Sequence, residues 1–460
     1  MSIADVVQAP AARLPLIPPR PAPAPPTMST FRRMLKISKS GISTWGERAY
    51  QEDVVQGRFL GHSSFVLNTP DTIRHVLIDN YENYTRTPPG IRVLRPMLGE
   101  GLLLSEGKTW KLQRRTLAPA FTPRAVATLM PHMRDVINET VAELTTQQGQ
   151  PLDLREAMQR MTLEIAGRTM FSFGMTEHGP TLRNFVIEYG ARLARPHLLD
   201  LMLPLGWPSP QDISRKFFRR RWTRFMSTLI AERRAIAKQD AAPRDLIDLM
   251  VAARDPETGE AFSDENLVDQ VSTMILAGHE TTATALFWAL YLLAQDGPTQ
   301  DELAREARAE SAAGEPDPEK LKFTRAVLDE TMRLYPPAYL IARMAAGPDV
   351  LDGREVKKGD VIFIAPWLLH RHEKLWANPE AFIPQRFIAG PPPDRFAYLP
   401  FGVGPRVCIG AHFALVEATL ALARIVGAFR IELASAEPVM PIGVVTTQPD
   451  HSPTFRITRR

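Results

Sequence analysis

The chain has 460 residues, 44% of them hydrophobic and 23% charged, a composition that excludes a disordered or collagen-like protein and supports a sizeable core. Fifty-five Lys and Arg stand against 51 Asp and Glu, and a net charge of +4 is too small for wholesale nucleic-acid binding. The single cysteine, Cys408, excludes any intrachain disulfide, so nothing points to an oxidising compartment, and a cytoplasmic location is expected.

The first 40 residues open with "MSIADVVQAPAARLPLIPPRPAPAPPT", dense in proline and without an apolar run long enough for a signal or an anchor. This segment reads as a flexible N-terminal extension, with residues 41–460 as one domain. "SSFVLN" reads as a strand ahead of a helix that Thr69 caps and Pro70 opens, and Thr122 with Pro123 begins another helix. Between them, "WKLQR" sets Trp110 and Arg114 one helical turn apart, with Lys108, Lys111 and Arg115 nearby as a basic cluster. "SRKFFRRRWTRF" interleaves basic and aromatic residues, read here as inward-packed rings and solvated arginines. With "LPLGWPSP" upstream, it is also a candidate lid over a substrate channel.

The stretch Val271–Leu293 is nearly long enough to span a bilayer, yet His279 and Glu280 sit at its centre, where an ionised residue costs roughly 2.5 to 3.5 kcal/mol. A core helix capped by Ser263, about 30 residues and roughly 45 Å long, is expected instead, and no transmembrane anchor. In its middle, Ala277–Thr282, the residues Gly278, Thr281 and Thr282 are poor helix formers and Glu280 is costly to bury, a break in local rules that hints at a site. The Thr281 hydroxyl either bonds back to the Ala277 carbonyl or leaves it for a ligand, and either choice is expected to bend the helix. A zinc-binding H-E-x-x-H is excluded because position 283 is alanine.

Farther on, Glu330 and Arg333 in "ETMR" share a helix face at i, i+3, a spacing most often found in a surface salt bridge. "DVIFIA" and "TFRITR" read as strands, and "HRHE" from His370 as exposed histidines near a helix start. "FGVGPRVCIG" is one glycine short of a dinucleotide fingerprint, and Pro405 removes an amide donor from it. A nucleophilic thiol needs a base, and folded proximity to His412 is not readable from sequence. As a metal ligand, Cys408 lies at the start of an apolar helix, whose dipole favours a thiolate. One thiolate cannot hold zinc or an iron–sulfur cluster, whereas haem iron needs a single axial protein ligand.

The loop is similar to the cytochrome P-450 haem-binding signature F-x-x-G-x-R-x-C-x-G, matched at Phe401, Gly404, Arg406, Cys408 and Gly410. "AGHETT" at Ala277–Thr282 resembles the family's oxygen-activation segment. The resemblance runs from about residue 40 to the end. It implies a mainly α, minor β (α+β) fold with heme b between the long central helix and the helix after the cysteine loop. Cys408 is then the axial thiolate, with Phe401, Gly402 and Gly410 around it, and Arg406, Trp110, Arg114 and Arg343 serve the propionates. Gly278 leaves room for dioxygen, and Glu280 with Thr281 relays protons. Glu330 and Arg333 become a buried pair joined by Arg386, although Gln385 stands where the family usually has an acid.

The function implied is a monooxygenase acting on a hydrophobic organic substrate with O2. The chain ends soon after its last strand, so electrons are expected from a separate ferredoxin or flavodoxin with its reductase, docked on the basic cluster. The alternatives are a non-catalytic haem sensor or carrier, which needs no proton relay, and a peroxide-driven peroxygenase, a class that tends to lose the Glu280–Thr281 pair kept here.

Overall fold

The computed structural model describes residues 14–59, 61–172, 177–203, 205–236, 245–390, 392 and 394–460. Helices dominate. Those used below are α1 Gly107–Leu117, α2 Pro123–Thr146, α3 Leu154–Phe171, α4 Asp212–Ile236, α5 Asp264–Gln295, α6 Gly297–Ala312, α7 Lys322–Leu334 and α8 Ala411–Ala428. A five-stranded sheet runs in the order β1-β2-β5-β4-β3, formed by Val54–Phe59, His62–Leu67, Val361–Ile364, Ile341–Ala345 and Tyr84–Thr85. Its pairings are antiparallel except β2 with β5, where Ser64 faces Val361. Two antiparallel pairs lie near the C-terminus: β6 Phe429–Leu433 with β9 Phe455–Arg459, and β7 Pro441–Gly443 with β8 Thr447–Pro449.

The 32-residue α5 is the axis of the fold, and Ser263 caps it by accepting from the Asn266 N–H at 3.2 Å. From Ala283 to Leu293 every residue is buried, because α3, α7 and α8 surround this half and Trp288 stacks on Tyr335 with ring centroids 4.0 Å apart. Among the described residues α8 alone is long and apolar enough to cross a membrane. It packs instead against α2, α5, α6 and α7 in the largest core cluster.

Two local expectations are corrected. Thr122 does cap α2, but the Thr69 hydroxyl turns to the Thr72 hydroxyl at 2.7 Å and bonds no helix N–H. Of the extension expected to be flexible, residues 1–13 lie outside the described residues, and the part from residue 14 is docked. The Phe382 N–H donates to the Leu16 carbonyl at 2.8 Å and the Tyr335 hydroxyl to the Pro19 carbonyl at 2.8 Å, while Arg20 pairs with Glu380 at 3.1 Å. Two backbone carbonyls, one of them a proline's, and one ion pair hold a chain that composition alone leaves free.

Candidate active site

The cysteine loop is closed by its own backbone, the Cys408 N–H donating to the Phe401 carbonyl at 2.9 Å. Gly402 and Gly404 adopt φ of 70° and 77°, and a Cβ on Gly404 would stand 2.3 Å from the Leu77 carbonyl oxygen, so only glycine fits there. Burial pushes the Cys408 thiol up, opposed by the Gly410 N–H and the positive charge of Arg114. Cys408 nonetheless has open surface. A side chain enclosed by protein and still accessible lines an internal space, and Phe401–Leu415 are accessible throughout in the same way.

The middle of α5 opens similarly. Ala277 is exposed between buried Ile275 and His279, and a Cβ on Gly278 would meet nothing within 4 Å. The Thr281 hydroxyl donates to the Ala277 carbonyl at 2.7 Å, and Thr282 and Thr284 bond back likewise to Gly278 at 3.0 Å and to Glu280 at 2.8 Å. The helix α5 runs as one element through these residues. The Glu280 carboxylate turns to β8, where Gln448 Nε2 donates to it, and no hydrogen bond joins it to Thr281 among the described residues.

A cationic cluster forms the edge of the site. Arg406 donates to the Ser105 carbonyl at 3.1 Å and to the Glu106 carboxylate, and its guanidinium lies 4.4 Å from the centre of the Trp110 ring. Burial, reinforced by repulsion from Arg343 and Arg406, depresses Arg86 to about 9. Burial together with Arg406 depresses Arg343 to about 10. Glu106 is the acid that acts on all three, 3.8 Å from Arg86 Nε, and that nitrogen is buried without a hydrogen-bond acceptor among the described residues. Three half-buried guanidinium groups sharing one carboxylate leave a surplus of positive charge that further anionic groups would neutralise. Heme b carries two carboxylates and an iron that takes one axial thiolate, so the residues present fit it. Arg86 belongs to no motif, and nothing in "TRTPPG" marks it. The charge of Arg114, one turn along α1 from Trp110, is felt at Cys408.

The pair expected from "ETMR" is fully buried. Arg333 holds Glu330 with two bonds of 2.8 and 2.9 Å and gives its remaining donors to the carbonyls of His370, Pro379 and Ala381. Arg386 Nε reaches the same carboxylate at 3.1 Å. Gln385 is exposed.

Three surface readings change. His370, Arg371 and His372 are buried rather than exposed, His370 Nε2 accepting from the Leu399 N–H at 2.8 Å. In the basic cluster, Lys111 is paired with Glu82 at 2.7 Å and Arg115 with Asp255 at 2.9 Å, which leaves Lys108 without an ion pair among the described residues. On α4, Phe218 and Trp222 pack inward as expected, but Phe217 is exposed and Arg215 is buried in a 2.8 Å pair with Asp200.

The sequence profile of the family described as Cytochrome P450 matches residues 23–454. Cyclooctatin synthase of Streptomyces melanosporofaciens is 32% identical over 400 residues, 85% of each chain. Cyclooctat-9-en-7-ol 5-monooxygenase of the same organism is 30% identical, covering 88% of this chain and 86% of the other. The crystal structure of the cytochrome P450DA heme domain superposes with a TM-score of 0.77 at 25% identity, covering 97% of this chain and 99% of that one. Fold, profile and relatives agree: the chain belongs to the cytochrome P450 family of haem-thiolate monooxygenases, which carry heme b and use O2, an electron donor and hydrophobic substrates.

Proposed function

We propose that the protein hydroxylates or epoxidises a hydrophobic organic substrate, with heme b held by Cys408. The observation that carries this reading is the surplus of positive charge that Arg86, Arg343 and Arg406 gather around Glu106, with Arg406 in the same loop as the accessible Cys408. Heme b ligated by a thiolate supplies the activation of dioxygen. In this assignment Arg86, Arg343 and Arg406 neutralise the propionates, and Trp110 backs Arg406. Arg114 and the Gly410 N–H favour the thiolate form of the sulfur, with Phe401 and Gly402 shaping the loop beside it.

Ala277 and Gly278 keep the facing helix free of bulk, the Thr281 hydroxyl holds a proton at Oγ1 while bonded to Ala277, and Glu280 holds or gives up one at its carboxylate. Such a pair favours the monooxygenase over a haem sensor or carrier and over a peroxygenase. Two of the relatives bear names of enzymes that act in cyclooctatin chemistry, and a hydrophobic cyclic substrate is a sensible first panel here.

Electrons are assigned to an external ferredoxin or flavodoxin with its reductase. Since Lys111 and Arg115 are already paired, Lys108 is the cation on α1 left to meet an acidic partner, and only a mild salt dependence is expected. The test is the absorption spectrum of the dithionite-reduced protein under carbon monoxide, in wild type and Cys408→Ser. A strongly red-shifted Soret band in wild type that is lost in the variant supports the assignment, and its absence from haem-loaded wild type overturns it.

A further inference from the structure

Gln448, outside every motif, is built into a fixed position against Glu280. Its strand β8 is pinned at the preceding residue: the Thr447 N–H donates to the Pro337 carbonyl at 3.1 Å, the Thr447 hydroxyl to the Pro336 carbonyl at 2.5 Å, and the Trp288 indole N–H to the Thr447 carbonyl at 2.7 Å. Glu280, Thr284 and Trp288 follow one another at i, i+4 and i+8, so the face of α5 that anchors the strand also presents the carboxylate to it.

The hydrogen bonds fix which end of the amide faces Glu280. Arg155 on α3 donates from its terminal nitrogen to Gln448 Oε1 at 2.7 Å. Arginine only donates, so the amide oxygen is committed to Arg155 and the NH2 is turned inward. That NH2 donates to Glu280 Oε1 and to the Thr446 hydroxyl at 2.6 Å. The other Glu280 oxygen lies 3.8 Å from His279 Nε2. His279 Nδ1 is 2.8 Å from the Ile275 carbonyl, and at 3.8 Å its Nε2 is beyond hydrogen-bond distance of the carboxylate. Gln448 is therefore the side chain that sets where the carboxylate points.

We propose that Gln448 is a positioning residue for Glu280, itself oriented by Arg155, and that this hold from β8 sets the placement from which the carboxylate takes up and releases its proton. The proposal rests on the role given to Glu280 above. Proton transfer is sensitive to placement, and small displacements of a catalytic group cost up to about a hundredfold in rate. No oxidant or reductant beyond those of the established activity is involved.

The experiment uses the full-length haem-loaded protein, with Gln448→Met, nearly isosteric but without hydrogen bonds, and Arg155→Met, which leaves β8 and its anchors intact. Two quantities are read. The first is the infrared carboxylate band of Glu280, located by subtracting the spectrum of Glu280→Gln from that of the resting protein. The second is the ratio of peroxide to product with spin-state-shifting members of a panel of monoterpenes and medium-chain fatty acids. We expect the band to move in both variants and the ratio to rise at least about threefold, with substrate binding unchanged. A band and a ratio that stay at their wild-type values in both variants overturn the proposal. Failure of the broader reading is separately visible, as a wild-type protein with no thiolate-type carbon monoxide spectrum or no product.

Discussion

Glu330 Oε1 accepts from three donors at once: Arg333 at 2.9 Å, Arg386 at 3.1 Å and the Ile383 N–H at 2.8 Å. The carboxylate thereby binds α7 to the segment leading toward the cysteine loop, and Arg333 extends the tie to three carbonyls between His370 and Ala381. Glu330→Ala strands two arginines, one of them fully buried, and a broken buried pair typically costs about 3–5 kcal/mol. Arg386→Met leaves the Glu330–Arg333 pair closed and is expected to cost about 1–2 kcal/mol. Urea unfolding of the two variants should show this ranking, and Glu330→Ala should purify with little haem.

Arg86 offers a sharper test of the cationic edge, because nothing but geometry points to it. Arg86→Leu removes a guanidinium that burial and like-charged neighbours already depress, so the protein without haem should lose little stability or gain some. Haem retention should fall by about tenfold, the scale of one charge-assisted bond near 1.4 kcal/mol. Transfer of haem to apomyoglobin measures it. Retention equal to wild type would remove Arg86 from the site.

Thr281→Ala keeps the fold, since the hydroxyl bonds only within its own helix, to Ala277 at 2.7 Å. Haem content and the carbon monoxide spectrum are expected to match wild type while electrons pass to peroxide. Product per electron should fall by about tenfold or more, within the range that general acid–base groups contribute. Unchanged coupling would remove the hydroxyl from the proton path.

His370 gives the protein an acid limit. Burial, with Arg333 and Arg371 nearby, depresses it from 6.5 to about 3, so the folded state keeps it neutral where the unfolded chain protonates it. Its contribution is present above pH 6.5 and is lost as the pH falls toward 3, at up to about 1.4 kcal/mol per pH unit. His370→Gln keeps an acceptor for the Leu399 N–H and should flatten this part of the curve of Tm against pH.

The legible parts of this protein are those whose chemistry is local in the chain. The cysteine loop declares itself through glycines spaced along a single turn, and the centre of α5 through a broken propensity rule. Burial of Glu330 and Arg333 is different, because the i, i+3 spacing is the same on a surface helix, and only the family resemblance separates the two. Arg86, Gln448 and Arg155 are illegible for a related reason. Each acquires its role from a partner far along the chain, Glu106 for Arg86 and Glu280 for Gln448, and no local pattern encodes such a meeting. The histidines of "HRHE" mislead because polar residues default to the surface unless a buried N–H, here that of Leu399, needs an acceptor.

Glu417 sets the opposite limit on the alkaline side. It lies buried in the middle of α8 with Oε1 lacking a hydrogen-bond partner among the described residues, and burial alone pushes its carboxyl well above the usual range. The folded state therefore holds this proton after the unfolded chain has released it near 4.5. Stability from Glu417 is complete below that pH and declines as the pH rises toward the folded value, so it is already reduced at neutrality. Glu417→Gln replaces the acid with a neutral group of nearly the same shape. It should raise Tm at pH 8 relative to wild type and leave it nearly equal at pH 4.5, the two curves converging as the wild-type carboxyl becomes protonated in both states. Parallel curves across this range would mean that Glu417 finds a water or counter-charge that lets it ionise in place.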